Sequence, residues 1–156
     1  MKLSLFILPL FFMLQLDTCS SDDSSDGPVN NSFITFSGET NEAFGGCNVQ
    51  SQNNPIFCTY VGSTTLANGN TIGISFSHSG ICRTATFNFS DVLDDGDAVV
   101  IVQIATDGVV TDTYIGLSGI VDLGDFGATS NMDFSGDVIH SETGEIESIS
   151  GFIECL

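Results

Sequence analysis

The chain has 156 residues, of which 20 are acidic and 2 basic, for a formal net charge of −18 at pH 7. Such a chain repels nucleic-acid phosphates and anionic lipid headgroups, so a charged partner has to be cationic or bridged by metal ions. Apolar residues make up 42%, including 13 Phe and no Trp, enough to bury one core and too many for a wholly disordered chain.

Residues 3–16, Leu-Ser-Leu-Phe-Ile-Leu-Pro-Leu-Phe-Phe-Met-Leu-Gln-Leu, follow the basic residue Lys2. A positive start and an apolar run too short to span a bilayer make the pattern of a secretory signal. The run leads to Cys19, with Leu16 three positions before it. This resembles the signal of bacterial lipoproteins, in which the cysteine at the cleavage point is acylated and becomes the new N-terminus; Asp17 and Thr18 depart from the small uncharged pair usual there. The next residues, Ser20-Ser21-Asp22-Asp23-Ser24-Ser25-Asp26, resemble the acidic tether of surface lipoproteins of the Bacteroidota, where it acts as an address for the cell surface. The resemblance implies a signal peptide over 1–18, a lipidated Cys19 heading a disordered acidic tether over 19–31, and an anchor in the outer membrane. Cleavage would remove Lys2 and Asp17, leaving the net charge at −18 and Arg83 as the one base. The tether has little to bury, and its like charges keep it extended.

From Ser32 onward the texture changes to short runs of Val, Ile, Phe and Thr between Gly, Asn and Asp, with no helical periodicity over three turns. That is an all-β pattern. Ser32–Ser37 reads as the opening strand, and Pro55–Val61 as another, with its proline at the first position, where a missing N–H is tolerated. In Thr71–Ser77, Ile72, Ile74 and Phe76 share a face; in Arg83–Phe89, Ala85, Phe87 and Phe89 do.

Ala98–Thr106 and Val109–Leu117 flank Asp107-Gly108, the pair that a two-residue type I′ hairpin turn prefers. The turn predicts Thr106 opposite Val109, Ile104 opposite Thr111 and Val102 opposite Thr113, with Ile101 meeting Tyr114 and Gln103 meeting Asp112. A last hairpin runs Met132–His140, turns over Ser141–Gly144 and returns along Glu145–Cys155. Met132, Phe134 and Val138 share one face. On the return Ile149, Ile153 and Cys155 share a face, Phe152 takes the other, and Gly151 marks a bulge. The fold expected over 32–156 is a single antiparallel β-sandwich of about eight strands. The closing stretch FSGDVIHSETGEIESISGFIECL resembles the last hairpin of small β-sandwich lipoproteins of the Bacteroidota, which implies fold and location but carries no catalytic residue over.

Four cysteines follow Cys19: Cys47, Cys58, Cys82 and Cys155. An even number in an exported chain reads as two disulfides, and no closely spaced pair suggests zinc. Three connectivities are open. Cys47–Cys58 would close a hairpin base across NVQSQNNPIF, leaving Cys82–Cys155. Asp91, Asp94, Asp95 and Asp97 in DVLDDGDA, and Asp122 and Asp125 in DLGDF, supply hard oxygens, yet neither stretch fits an EF-hand loop. Solvated turns are the simpler reading: no cofactor is expected, and Asp94, Asp95, Asp97, Asp122 and Asp125 are retained only as weak calcium candidates.

His78 and His140 are the only imidazoles. No Gly-x-Ser-x-Gly accompanies them, and strand neighbours such as Ser77 or Ser141 point to opposite faces, so surface positions are expected. Tyr114 is expected to pack in the core, with an exposed platform for a sugar as the alternative. The sequence thus points to a non-enzymatic surface lipoprotein, a binding or interaction module whose partner is a protein or glycan and not nucleic acid. The alternatives are a shielding surface protein without a ligand and a calcium-dependent adhesion module.

Overall fold

The computed structural model describes residues 31–46, 57–80, 83–92, 94–124 and 130–155. The signal sequence, Cys19 and the tether therefore lie outside the described residues. Among the described residues nine strands follow one another: β1 (Phe33–Phe36), β2 (Glu39–Gly46), β3 (Phe57–Thr65), β4 (Thr71–Ser79), β5 (Ala85–Ser90), β6 (Asp97–Thr106), β7 (Val109–Leu123), β8 (Ser130–His140) and β9 (Ile146–Cys155). They join in the order β1-β2-β3-β4-β6-β5-β7-β8-β9, and β1 pairs with β9 from Phe33↔Phe152 to Phe36↔Ile149, so the sheet closes on itself.

A single closed sheet replaces the expected two-sheet sandwich. Inward–outward alternation is the same in both architectures; only the pairing of the first strand with the last tells them apart. The extra strand is β2, whose sequence Glu-Thr-Asn-Glu-Ala-Phe-Gly-Gly buries only Ala43 among its described side chains. It is tied to β1 by a turn at Ser37 and Gly38, both at positive φ (50° and 82°).

The Asp107-Gly108 turn forms as expected, with both residues at positive φ and Thr106 opposite Val109. Between Ile104 and Ala105 the register shifts, and the pairs become Ile104↔Asp112, Gln103↔Thr113, Val102↔Tyr114 and Ile101↔Ile115. One residue of slip changes every later partner. Tyr114 consequently stands opposite Val102 instead of Ile101, and it packs in the core as expected, 8% exposed.

Farther along, β6 and β7 splay and β5 fills the gap, parallel to β6 (Asn88↔Asp97) and antiparallel to β7 (Phe87↔Val121). Where β7 approaches this change of partner, a second irregularity between Gly116 and Ser118 turns Leu117 to solvent.

The interior is filled by side chains. Ile72, Ile74 and Phe76 point inward as expected, as do Phe87 and Phe89, with Ala85 partly buried. The Phe76 ring lies 4.9 Å from Phe134 and 5.9 Å from Phe89. Ile149 and Ile153 are buried while the Phe152 ring faces out. Gly151 is not a bulge: the ladder runs regularly through it, opposite Phe134 and Ile34. A Cβ there would come within 2.5 Å of Phe134 Cζ, so the glycine makes room for that ring. Among the described residues no helix is long and apolar enough to cross a membrane. The apolar-in, polar-out alternation is the reverse of a membrane-spanning barrel.

Candidate binding face

Because Phe87, Val121, Met132, Ile153, Ile34 and Ala43 point to the core, their strand neighbours point out. The ladders align these neighbours into one row across six strands. Thr86 lies opposite Asp122, Asp122 opposite Asp133, Asp133 opposite Phe152, Phe152 opposite Phe33, and Phe33 opposite Glu42. Facing carboxylates such as Asp122 and Asp133 repel; the Thr86 hydroxyl, which donates to the Asp122 carboxylate, offsets part of this.

At one end of the row Thr84, Thr86, Asp122, Asn131, Asp133 and Phe152 line an open groove of about 360 Å³. At the other end the surface is aromatic. Phe33 is 40% exposed, and Phe44, two residues beyond Glu42 on the same face of β2, is 67% exposed. Phe44 stands opposite Ser63, whose next cross-strand neighbour is Gly73 and offers no side chain to cover the ring. Ile120, on β7 two residues before Asp122, is also exposed. The face therefore interleaves carboxylates with exposed apolar groups.

Both histidines are buried, contrary to the surface positions expected. Their strands' alternation, carried one step past Phe76 and Val138, would have placed them inward. The His140 Nδ1 accepts from the Glu142 and Thr143 N–H groups at 3.2 and 3.1 Å, and its Nε2–H donates to Asp112 Oδ1 at 3.2 Å. The ring meets Tyr114 edge-on, 4.9 Å between centroids, and Tyr114 in turn meets Phe36 at 5.3 Å. The Thr111 hydroxyl and His140 hold the Asp112 carboxyl below the usual carboxylate range, while burial and then the Asp112 charge push the Tyr114 phenol up. With both ring nitrogens held by fixed partners, His140 clamps the β8–β9 turn and has no free position for proton transfer to a ligand.

His78, 1% exposed, stacks on Phe87 at 4.2 Å and on Tyr60 at 6.3 Å. Its Nδ1–H donates to the Ser79 carbonyl at 3.0 Å, and among the described residues its Nε2 has no hydrogen-bond partner. Burial lowers its pKa.

Cys58 is fully buried at the start of β3, opposite His78. Cys155 ends β9 opposite Ser130; its side chain, Cys47 and Cys82 lie outside the described residues. The acidic candidates are not gathered. The Asp94 backbone carbonyl closes a turn by accepting from the Asp97 N–H, and the Asp95 carboxylate pairs with Arg83 at 3.2 Å, with both side chains exposed. Asp97 and Asp122 lie on opposite sides of β5, against Asn88 and Thr86, and Asp125 lies outside the described residues. Among the described residues no group of three His, Cys, Asp or Glu side chains is placed to hold a metal ion. Sequence reasoning singled out Asp122 but not its neighbours Asp133, Phe152 and Phe33, which only the cross-strand register brings to it.

Comparison with protein-family models, curated proteins and solved structures finds no match to this chain.

Proposed function

We propose that the chain is a non-catalytic binding module, anchored in the outer membrane through Cys19 and displayed at the cell surface, which takes its ligand on the outer face of the barrel. The observation that carries this reading is the continuous row from Thr86 to Glu42, which joins a groove, through the half-buried Phe152, to the exposed rings of Phe33 and Phe44. The commitment of both His140 nitrogens argues against acid–base chemistry there. The lipidated cysteine, the acidic tether and the view of 32–156 as one domain rest on the sequence. So does the two-disulfide framework.

The test is a panel of purified glycans, peptides of both charge signs and cell-surface proteins, offered to the full chain and to its Asp133→Asn/Phe152→Ser variant. A binding module shows at least one saturable interaction that the variant loses. A panel with no such difference favours the shielding reading. Release of Cys19→Ser into the soluble fraction tests the anchor separately.

A further inference from the structure

Resting on the binding reading above, we infer that the ligand is a cationic polypeptide segment of a partner protein, carrying apolar side chains and laid across β7, β8, β9, β1 and β2. The order of groups along the row gives its chemistry. From one end to the other a ligand meets Asp122 and Asp133, then the rings of Phe152 and Phe33, then Glu42 with Phe44 beside it. The five strands from β7 to β2 make up about half of the nine-strand barrel, so the row is roughly 19 Å long at the backbone and about twice that at a ligand's radius, and an extended segment wraps it in about twelve residues. Basic side chains over the carboxylates and apolar ones over the rings match the sequence of groups, and a guanidinium or ammonium near a Phe face adds a cation–π contribution.

Charge excludes the other occupants. Nothing basic in the described residues answers Asp122 and Asp133: Arg83, the one base among them, is paired with Asp95 across β5. A second copy would set these carboxylates against an equally acidic chain of net charge −18. An anionic membrane or a nucleic acid is repelled in the same way, and a neutral glycan leaves the facing carboxylates without a counter-charge. A free polyamine satisfies the carboxylates but leaves Phe33, Phe44 and Phe152 in water.

The test uses labelled synthetic peptides of about twelve residues, long enough to wrap the row: one alternating Lys and Leu, one alternating Lys and Ser, one alternating Glu and Leu. Binding to the full chain is followed by fluorescence anisotropy at physiological ionic strength. The Lys–Leu peptide is expected to bind saturably and at least about tenfold more tightly than either of the others. Asp122→Asn/Asp133→Asn and Phe44→Ser should each weaken it about tenfold, with thermal melts confirming that the variants fold. Phe44 is the safer aromatic site, being the most exposed.

Equal affinity for the Lys–Leu and Lys–Ser peptides, or an equal loss on Asp94→Asn/Asp97→Asn across β5, would reduce the effect to unspecific charge attraction and overturn the inference. If a neutral glycan binds instead and the same variants abolish it, the inference fails while the binding reading stands. If no probe of any class responds to these variants, both fail.

Discussion

Gly62 on β3 and Ile153 on β9 share one site in the barrel interior: a methyl group added at Gly62 would overlap the Ile153 side-chain terminus. The two strands are not neighbours in the sheet, since β1 and β2 lie between them. The contact therefore crosses the interior and depends on closure. Gly62→Ala should destabilise the protein by about 1–3 kcal/mol through overpacking. Ile153→Val removes the overlapping methyl, so the double variant should recover much of that loss. A double-mutant cycle by denaturant unfolding measures it, and strictly additive effects would contradict the cross-barrel contact.

His78 should give the stability an acid-sensitive limb. Its folded pKa is lowered from 6.5, by burial first and further by the Arg83 charge, against the opposing effect of the Ser79 hydrogen bond. The unfolded chain then binds the proton more readily, so stability is full above about pH 6.5 and declines as pH falls toward the folded value, by at most ~1.4 kcal/mol per pH unit. His78→Phe, which keeps a flat ring beside Phe87 and Tyr60, should remove this contribution between pH 6.5 and about pH 5, above the ordinary carboxylate range. Unfolding measured across that window checks it; an unchanged limb in the variant would assign the pH dependence to other groups.

His140 and Asp112 should behave as one unit. His140→Ala frees two turn N–H groups that water can partly satisfy, at a cost of about 1–2 kcal/mol, and Asp112→Ala should add little in that background. Because the Asp112 carboxyl is held below its ordinary 3.8, its contribution is present above that pH and fades as pH drops through the lowered value. Comparing acid unfolding of wild type with Asp112→Ala measures the difference.

Much of this fold could be read from local alternation. The Ile72–Ile74–Phe76 and Phe87–Phe89 faces, the Asp107-Gly108 turn and the outward Phe152 needed only period-two patterning and one turn signal. The register beyond Ile104 did not, because one extra residue absorbed in a bulge leaves no mark in composition. Strand β2 escaped because among its described side chains it buries only the small Ala43 and points its one large apolar side chain, Phe44, outward. Closure and the candidate row escaped for a common reason: Phe33 and Phe152 stand at opposite ends of the strand sequence, and nothing local to either announces the other. Asp122 drew attention as a metal ligand, a role for which the register supplies it only one facing carboxylate.

The cysteines supply a further test. A chain of net charge −18 repels itself, and crosslinks oppose the resulting expansion by restricting the unfolded state. The proposed pairs Cys47–Cys58 and Cys82–Cys155 would contribute roughly 3–5 kcal/mol each before strain. No free thiol should be titratable among the four, and reduction should abolish cooperative unfolding. Peptide mapping under non-reducing conditions decides the pairing; a Cys47–Cys155 or Cys47–Cys82 peptide would replace the proposed pairs and keep two bridges.

The central claim is that the ligand is held on the outside of the barrel, across the row from Thr86 to Glu42. Amide chemical-shift mapping of the isotope-labelled full chain, titrated with the Lys–Leu peptide, tests it most directly. The largest shifts should fall on Thr86, Asp122, Asp133, Phe152, Phe33 and Glu42. Shifts concentrated instead on Thr111–Tyr114 and His140–Glu145, around the buried imidazole and its turn, would contradict the account.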